Sequence, residues 1–215
     1  MEQAKKKRTL MLLVLFLVLC LLCAATTLGL FSATTTQVRN TFVATPGIVN
    51  EEQFFLNESK ATLQEGTYVL DESEKVTENT YDSLVTNMAL PKDPKVTADV
   101  QDGVSAYIFV RVYDATKAGL FNTSNIKWAI DDSNWSLVSG ADNVYVYKDI
   151  VLGTEGVELN QVGILKDNLV TTAEEFQDAD SAQEGLDVGY LSFTAMAVQS
   201  QGFSSAYEAY NALFS

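Results

Sequence analysis

Apolar and polar positions alternate along much of this chain, and that period points to strands. Val104 to Tyr113 reads VSAYIFVRVY. Ile108, Val110 and Val112 share one face, and Tyr107, Phe109, Arg111 and Tyr113 the other. Val144 to Leu152 alternates similarly. Tyr190 to Gln199 groups Leu191, Phe193, Ala195 and Ala197 on one side. β-branched and aromatic side chains on both faces predict strands covered on both sides. NIKWAI (125–130) and NWSLVSG (134–140) predict two more, joined by the turn-prone Asp131-Asp132-Ser133. Thr67 to Leu70, Val76 to Thr80, Lys95 to Val100 and the segment after Val38 complete a set of about eight to ten strands. So many strands with turn signals between them predict an all-β domain, an antiparallel jelly-roll-like sandwich.

Helical spacing is local. Ala206, Ala209, Tyr210 and Leu213 follow at i, i+3, i+4 and i+7. Ser205-Ala206-Tyr207-Glu208 forms a capping-box pattern, in which the serine accepts from the third amide and the glutamate reaches back. A short C-terminal helix is predicted there, and a further helical turn or two within Thr172 to Ala182 as a minor insertion.

The first thirty residues obey a different pattern. Lys5, Lys6, Lys7 and Arg8 precede an uncharged apolar run from Leu10 to Ala25, the arrangement of an export signal. Extended to Phe31, the run also reaches the length of a membrane span, so a retained anchor is the alternative. Thr27 and Gly29 supply small side chains at −3 and −1 for a cut before Leu30; Ala25, with Cys23 at −3, offers an earlier one. The organisation expected is a signal peptide (1–29), an extended N-terminal segment (30–47) and one β-sandwich domain (48–215). Contact with a membrane is expected only through the signal before cleavage.

Both cysteines, Cys20 and Cys23, fall in the signal, and Leu19 and Leu22 stand where a lipobox needs a small residue. The processed chain then has no thiol, so an exported domain without disulfides must be held by its core. The chain carries 14 Lys+Arg against 28 Asp+Glu, a formal charge of −14. Four of those basic residues and one acidic one precede Leu30, so the exported part is more negative still. Such a surface repels nucleic acid and anionic membranes.

There is no histidine. That excludes HExxH zinc sites, Ser-His-Asp triads and Cys-His pairs. No Gly-rich phosphate loop is present. Pairs such as Asp131/Asp132 and Glu174/Glu175 are expected by chance in so acidic a chain; no catalytic residue, resident metal or cofactor is assigned, and the chain is read as no enzyme. DADSAQEGLD (178–187) departs from an EF-hand at Ala182 and Gln183, although Asp178, Asp180 and Glu184 remain a candidate calcium set. Asn57, Asn122 and Asn134 begin N-x-S/T sequons. Trp128, Trp135 and the tyrosines are read as packing residues.

Several stretches together resemble one family. TLGLFSATTTQVRNTFVATPGIV places Phe31 just after the cut, then Asn40-Thr41-Phe42 and Gly47. KVTENTYDSLVTNMALPKDPKVTADVQDGVSAYIFVRV carries Lys92-Asp93-Pro94 before a strand of the AYVxVxV type, with Leu90-Pro91 where Pro-Gly is more usual. AMAVQSQGFSSAYEAYNALF matches an AYAIQADGF ending followed by a short helix. The set is similar to the TasA/camelysin family of exported proteins processed by SipW-type signal peptidases. Ser32-Ala33 departs from the acid that often follows the phenylalanine. The resemblance implies a jelly-roll domain at the surface or outside of a Gram-positive bacterium. It implies a structural role as a subunit of biofilm-matrix fibres or a surface layer, with the processing peptidase and further copies or related matrix subunits as partners. The segment with Phe31, Val38, Asn40, Thr41 and Phe42 would add as a strand to a neighbour's sheet. Head-to-tail addition does not close and so yields filaments. A histidine-ligated protease activity, described for camelysin, does not carry over. The competing reading is a monomeric surface module binding calcium or cell-wall glycan.

Overall fold

A computed structural model describes residues 32–35, 42–43, 48–81, 84–85, 87–114, 126–154, 159–172 and 190–214. The described residues form fourteen strands, one 3-10 turn at Lys166–Asn168 and one α-helix. The strands are β1 (Ser32–Thr35), β2 (Phe42–Val43), β3 (Val49–Gln64), β4 (Thr67–Val76), β5 (Ala89–Pro91), β6 (Lys95–Val100) and β7 (Ser105–Asp114). There follow β8 (Ile126–Lys127), β9 (Trp135–Leu137), β10 (Val144–Tyr147), β11 (Val151–Leu152), β12 (Leu159–Gly163), β13 (Leu169–Thr172) and β14 (Leu191–Gln199). The helix α1 spans Ala206–Phe214.

Three sheets share these strands. The largest runs β2-β1-β14-β7-β10-β9, with β11 also on β7. A second runs β12-β6-β3-β4, and a third β5-β13-β8. Every strand pair is antiparallel. The spine of the large sheet is β7 against β14, in register from Leu191↔Asp114 to Gln199↔Ala106. The alternation legible in the sequence sets its two faces. Ala106, Ile108, Val110 and Val112 join Phe193, Ala195 and Ala197 in the main core, against Phe54 and Leu56 of β3, Val96, Ala98 and Val100 of β6, and Leu90 and Val170 of the small sheet. Burying each of the larger side chains contributes about 1.5–3 kcal/mol.

The other face of the large sheet is covered as well. Phe109, Val144, Met196 and Val198 pack under Ala209 and Tyr210 of α1 in a second, smaller cluster. The Arg111 guanidinium donates to the Tyr210 hydroxyl and fixes the helix over β7. At the helix start the Ser205 hydroxyl accepts the Glu208 N–H at 3.2 Å, as the pattern predicts. The glutamate departs from the expected box. Its carboxylate reaches past Ser205 to the N–H (2.8 Å) and hydroxyl (2.6 Å) of Ser204. Those two donors, the hydroxyl first, hold the Glu208 carboxyl below its ordinary range.

Several strand expectations are corrected. Val144 to Leu152 is two strands, because both β10 and β11 must reach β7: one meets Phe109–Arg111 and the other Ser105–Ala106. The turn at Asp131 forms, with Asp131 Oδ1 accepting from the N–H and hydroxyl of Ser133. Its flanks, however, do not pair with each other. β8 joins β13 and β9 joins β10, so the turn carries the chain between sheets. Val76 to Thr80 is not a separate strand; Val76 ends β4. Thr172 closes β13, and the rest of the predicted helical insertion, 173–182, lies outside the described residues.

The longest strand, β3, was not expected. Its sequence, VNEEQFFLNESKATLQ, has no clean alternation. Its register is irregular between Val49 and Phe54 against β6 and between Ser59 and Lys60 against β4, and each irregularity resets which side chains face inward. A two-residue turn returns β3 into β4. Glu65 and Gly66 both have positive φ, 50° and 82°, the requirement of a type I′ hairpin.

Candidate functional site

Two features stand out: the seat of the N-terminal strand, and a buried charged cluster around Lys92 and Asp93. In the first, β1 lies between two strands. On one side Ser32, Ala33 and Thr34 stand opposite Val198, Ala197 and Met196 of β14. On the other, Thr34 and Thr35 stand opposite Val43 and Phe42 of β2. A strand there has backbone partners along both edges, which an edge strand lacks. Phe42 is the one member of the expected donor set that is described, and it lies in β2, beside the seat rather than in it. Phe31, Val38, Asn40 and Thr41 lie outside the described residues, as do Thr27, Gly29 and Leu30 at the expected cut.

The second feature gives Lys92-Asp93-Pro94 a physical role. The short connection from β5 to β6 carries the motif past β3. There the Lys92 ammonium meets both Glu58 carboxylate oxygens, at 2.9 and 3.1 Å. Asp93, 1% exposed, accepts the Ser59 N–H at 2.7 Å and the Ser59 hydroxyl at 2.8 Å. Lys95 adds an ammonium 2.9 Å from Asp93 Oδ2. Burial opposes ionisation of Asp93, but the Lys95 ammonium and the two Ser59 donors outweigh it and hold the carboxyl below the ordinary range. The Pro94 carbonyl accepts the Ile164 N–H at 3.0 Å.

The cluster joins all three sheets. Lys92 lies 5.8 Å from the Phe193 ring centroid in β14, and its backbone N–H donates to the Asn168 carbonyl beside β13 at 2.8 Å. Asn79 extends the arrangement: its amide donates to the Ser59 carbonyl at 2.8 Å and accepts the Ala61 N–H at 2.7 Å. One side chain thus does for β3 what a neighbouring strand would. Tyr81 stacks edge-on against Tyr68 and donates to the Pro91 carbonyl. Burial first, then the nearby Glu58 and Asp93 charges, push its phenol up. The charges of the cluster are paired with one another and tie β3 to the β5–β6 connection.

Sequence reasoning missed Glu58, Ser59 and Asn79. Glu58 and Ser59 sit 34 residues from their partners, inside a polar run without periodicity. Their only signal is that they follow Phe54 and Leu56 closely on one strand.

The remaining sequence candidates disperse. Trp135 is buried, with its indole N–H on the Gly163 carbonyl at 2.8 Å, and Trp128 donates to Asp114 at 3.0 Å. Asn57 is half-buried in β3, and the serine of its sequon is fully buried. Asn134 is tied to Asp131 at 2.7 Å. Asn122, Asp178, Asp180, Glu184, Glu174 and Glu175 lie outside the described residues. Among the described residues, no three acidic side chains converge as a metal site, and no helix is long and apolar enough to cross a membrane.

By its described architecture the chain is an antiparallel β-sheet protein with one short C-terminal helix. No known family model matches it, and neither a curated protein nor a solved structure does.

Proposed function

We propose that this protein is an exported structural subunit of extracellular matrix fibres or a cell-surface layer, built on a jelly-roll-like domain and joined to its neighbours by strand addition. The single observation that carries this reading is the seat of β1. The first described strand of the chain fits between β14 and β2 and bonds to both. The same strand from a second copy meets the edge of β14 in the same register, with β2 pairing on its outer side, and backbone hydrogen bonds supply most of that contact. Because donor and acceptor surfaces differ, each added copy presents a fresh acceptor, and the assembly grows as a filament. The export signal at residues 5–25, the absence of a thiol after Cys23 and the resemblance to the TasA/camelysin family support an extracellular setting in a Gram-positive bacterium. The cut before Leu30 by a signal peptidase belongs to this proposal.

The test uses residues 30–215 and a version lacking residues 30–42. At high protein concentration or with seeds added, electron microscopy should find filaments from the first and none from the second. Filaments from neither, or equally from both, would remove the reading. A monomeric glycan-binding module is the second reading, favoured by one observation: Tyr113 and Tyr190 are exposed neighbours with ring centroids 5.9 Å apart. Calorimetry with cell-wall glycans tests it, and loss of binding in Tyr190→Ala would place the site.

A further inference from the structure

We infer that the free subunit is self-complemented: its own β1 covers the edge of β14, carrying β2 on its outer side, and so holds the chain monomeric until that strand is released. The inference rests on the fibre reading and adds its control.

The argument starts from occupancy. The seat takes one strand, and within a single chain it is already taken, in the register Ser32↔Val198, Ala33↔Ala197 and Thr34↔Met196. A strand from another copy has the same sequence and gains no contact that the resident strand lacks. The resident strand is tethered, and a short tether gives an effective concentration in the millimolar range. At lower protein concentrations the chain's own strand therefore wins. Exchange replaces bonds with identical bonds, so the end states differ little in energy, as in domain swapping. What separates them is the opening step. β1 has only four residues, against the nine-residue pairing of β14 with β7. Its release is therefore a local opening that leaves the core intact. The subunit is built to stay closed when dilute and to exchange when crowded or seeded.

A disulfide tests this directly. Ala33 and Ala197 are opposite one another, and facing Cα atoms of antiparallel strands lie about 4.5–5.5 Å apart, within the span a disulfide bridges. The Ala33→Cys/Ala197→Cys chain from Leu30 onward carries no other thiol. Mild oxidation of the monomer should give one species of monomer mass, lighter by two hydrogens. That species should fail to extend filaments, and reduction should restore extension. Oxidation after assembly should give a covalent ladder instead. The Ser32→Cys/Val198→Cys pair supplies a second reading should the first variant not fold. Free thiols in the oxidised monomers of both variants would overturn self-pairing. Equal extension by locked and reduced chains would overturn its control of assembly. A bridge that forms in monomers that assemble in neither state would remove the fibre reading and leave the self-pairing standing.

Discussion

Removing the Asp93 carboxylate is the most informative single perturbation of this fold. Three donors converge on it: the Ser59 N–H at 2.7 Å, the Ser59 hydroxyl at 2.8 Å and the Lys95 ammonium at 2.9 Å. Asp93→Ala leaves the Ser59 N–H and Lys95 without their acceptor. Breaking a buried charged pair from one side costs about 3–5 kcal/mol. Lys95 keeps some access to water, with 20% of its side chain exposed, which places the expected loss near the lower end, about 3 kcal/mol. Asp93→Asn preserves the shape and one acceptor and should cost about 1–2 kcal/mol. Urea unfolding followed by the fluorescence of Trp128 and Trp135 measures both, and unchanged slopes would show that the folded state alone is affected. The pH dependence has a definite sign. Asp93 has a lowered folded pKa, so its contribution is present in full above the unfolded value of about 4 and disappears as pH falls through the folded value. The gap between the natural chain and Asp93→Asn should therefore narrow as pH falls below about 4. A loss below about 1 kcal/mol in Asp93→Ala, or a gap that ignores pH, would refute the tie between β3 and the β5–β6 connection.

Two further predictions concern the backbone. Gly153 passes under the turn after β6, donating to the Val104 carbonyl at 2.7 Å, and a Cβ there would meet the Gln101 carbonyl oxygen at 1.8 Å. Since backbone cannot step aside as a side chain can, Gly153→Ala should cost on the order of 3 kcal/mol or more, read as a collapse in the soluble folded fraction or in the unfolding midpoint. Glu65 holds φ 50° at the first central position of the β3–β4 turn. Asn adopts that conformation with less strain, so Glu65→Asn should raise stability by about 0.5–1 kcal/mol, and a lower melting temperature would contradict the turn assignment.

How much of this was legible depended on where the forces act. The strand at Ser105–Asp114 and its partner at Leu191–Gln199 could be read because apolar side chains occupy both faces, one in the main core and the other under α1, so an unbroken β-branched and aromatic run marks them. The strand at Lys95–Val100 was read because Val96, Ala98 and Val100 alternate into the main core. Strand β3 was not, since its irregular pairing breaks the period and its inward positions include Glu58 and Ser59. The capping serine of α1 was visible because its bond spans three residues. The glutamate's final partner was not, because Ser204 and Ser205 offer nearly the same donors and the local backbone chooses between them.

Lys92-Asp93-Pro94 stood out as a motif, yet nothing along the chain names Glu58, Ser59 and Asn79 as its partners. The sequence by itself determined the local quantities: which runs alternate, where a helix begins, which chemistry is missing for want of histidine. Those depend on neighbours a few bonds away. Only the tertiary structure decided that β1 sits between β14 and β2, that the Asp131 turn links two sheets, and that a buried cluster of opposite charges holds β3. Each of these is a contact across tens of residues, fixed by the packing of whole sheets, and no local pattern encodes the partner.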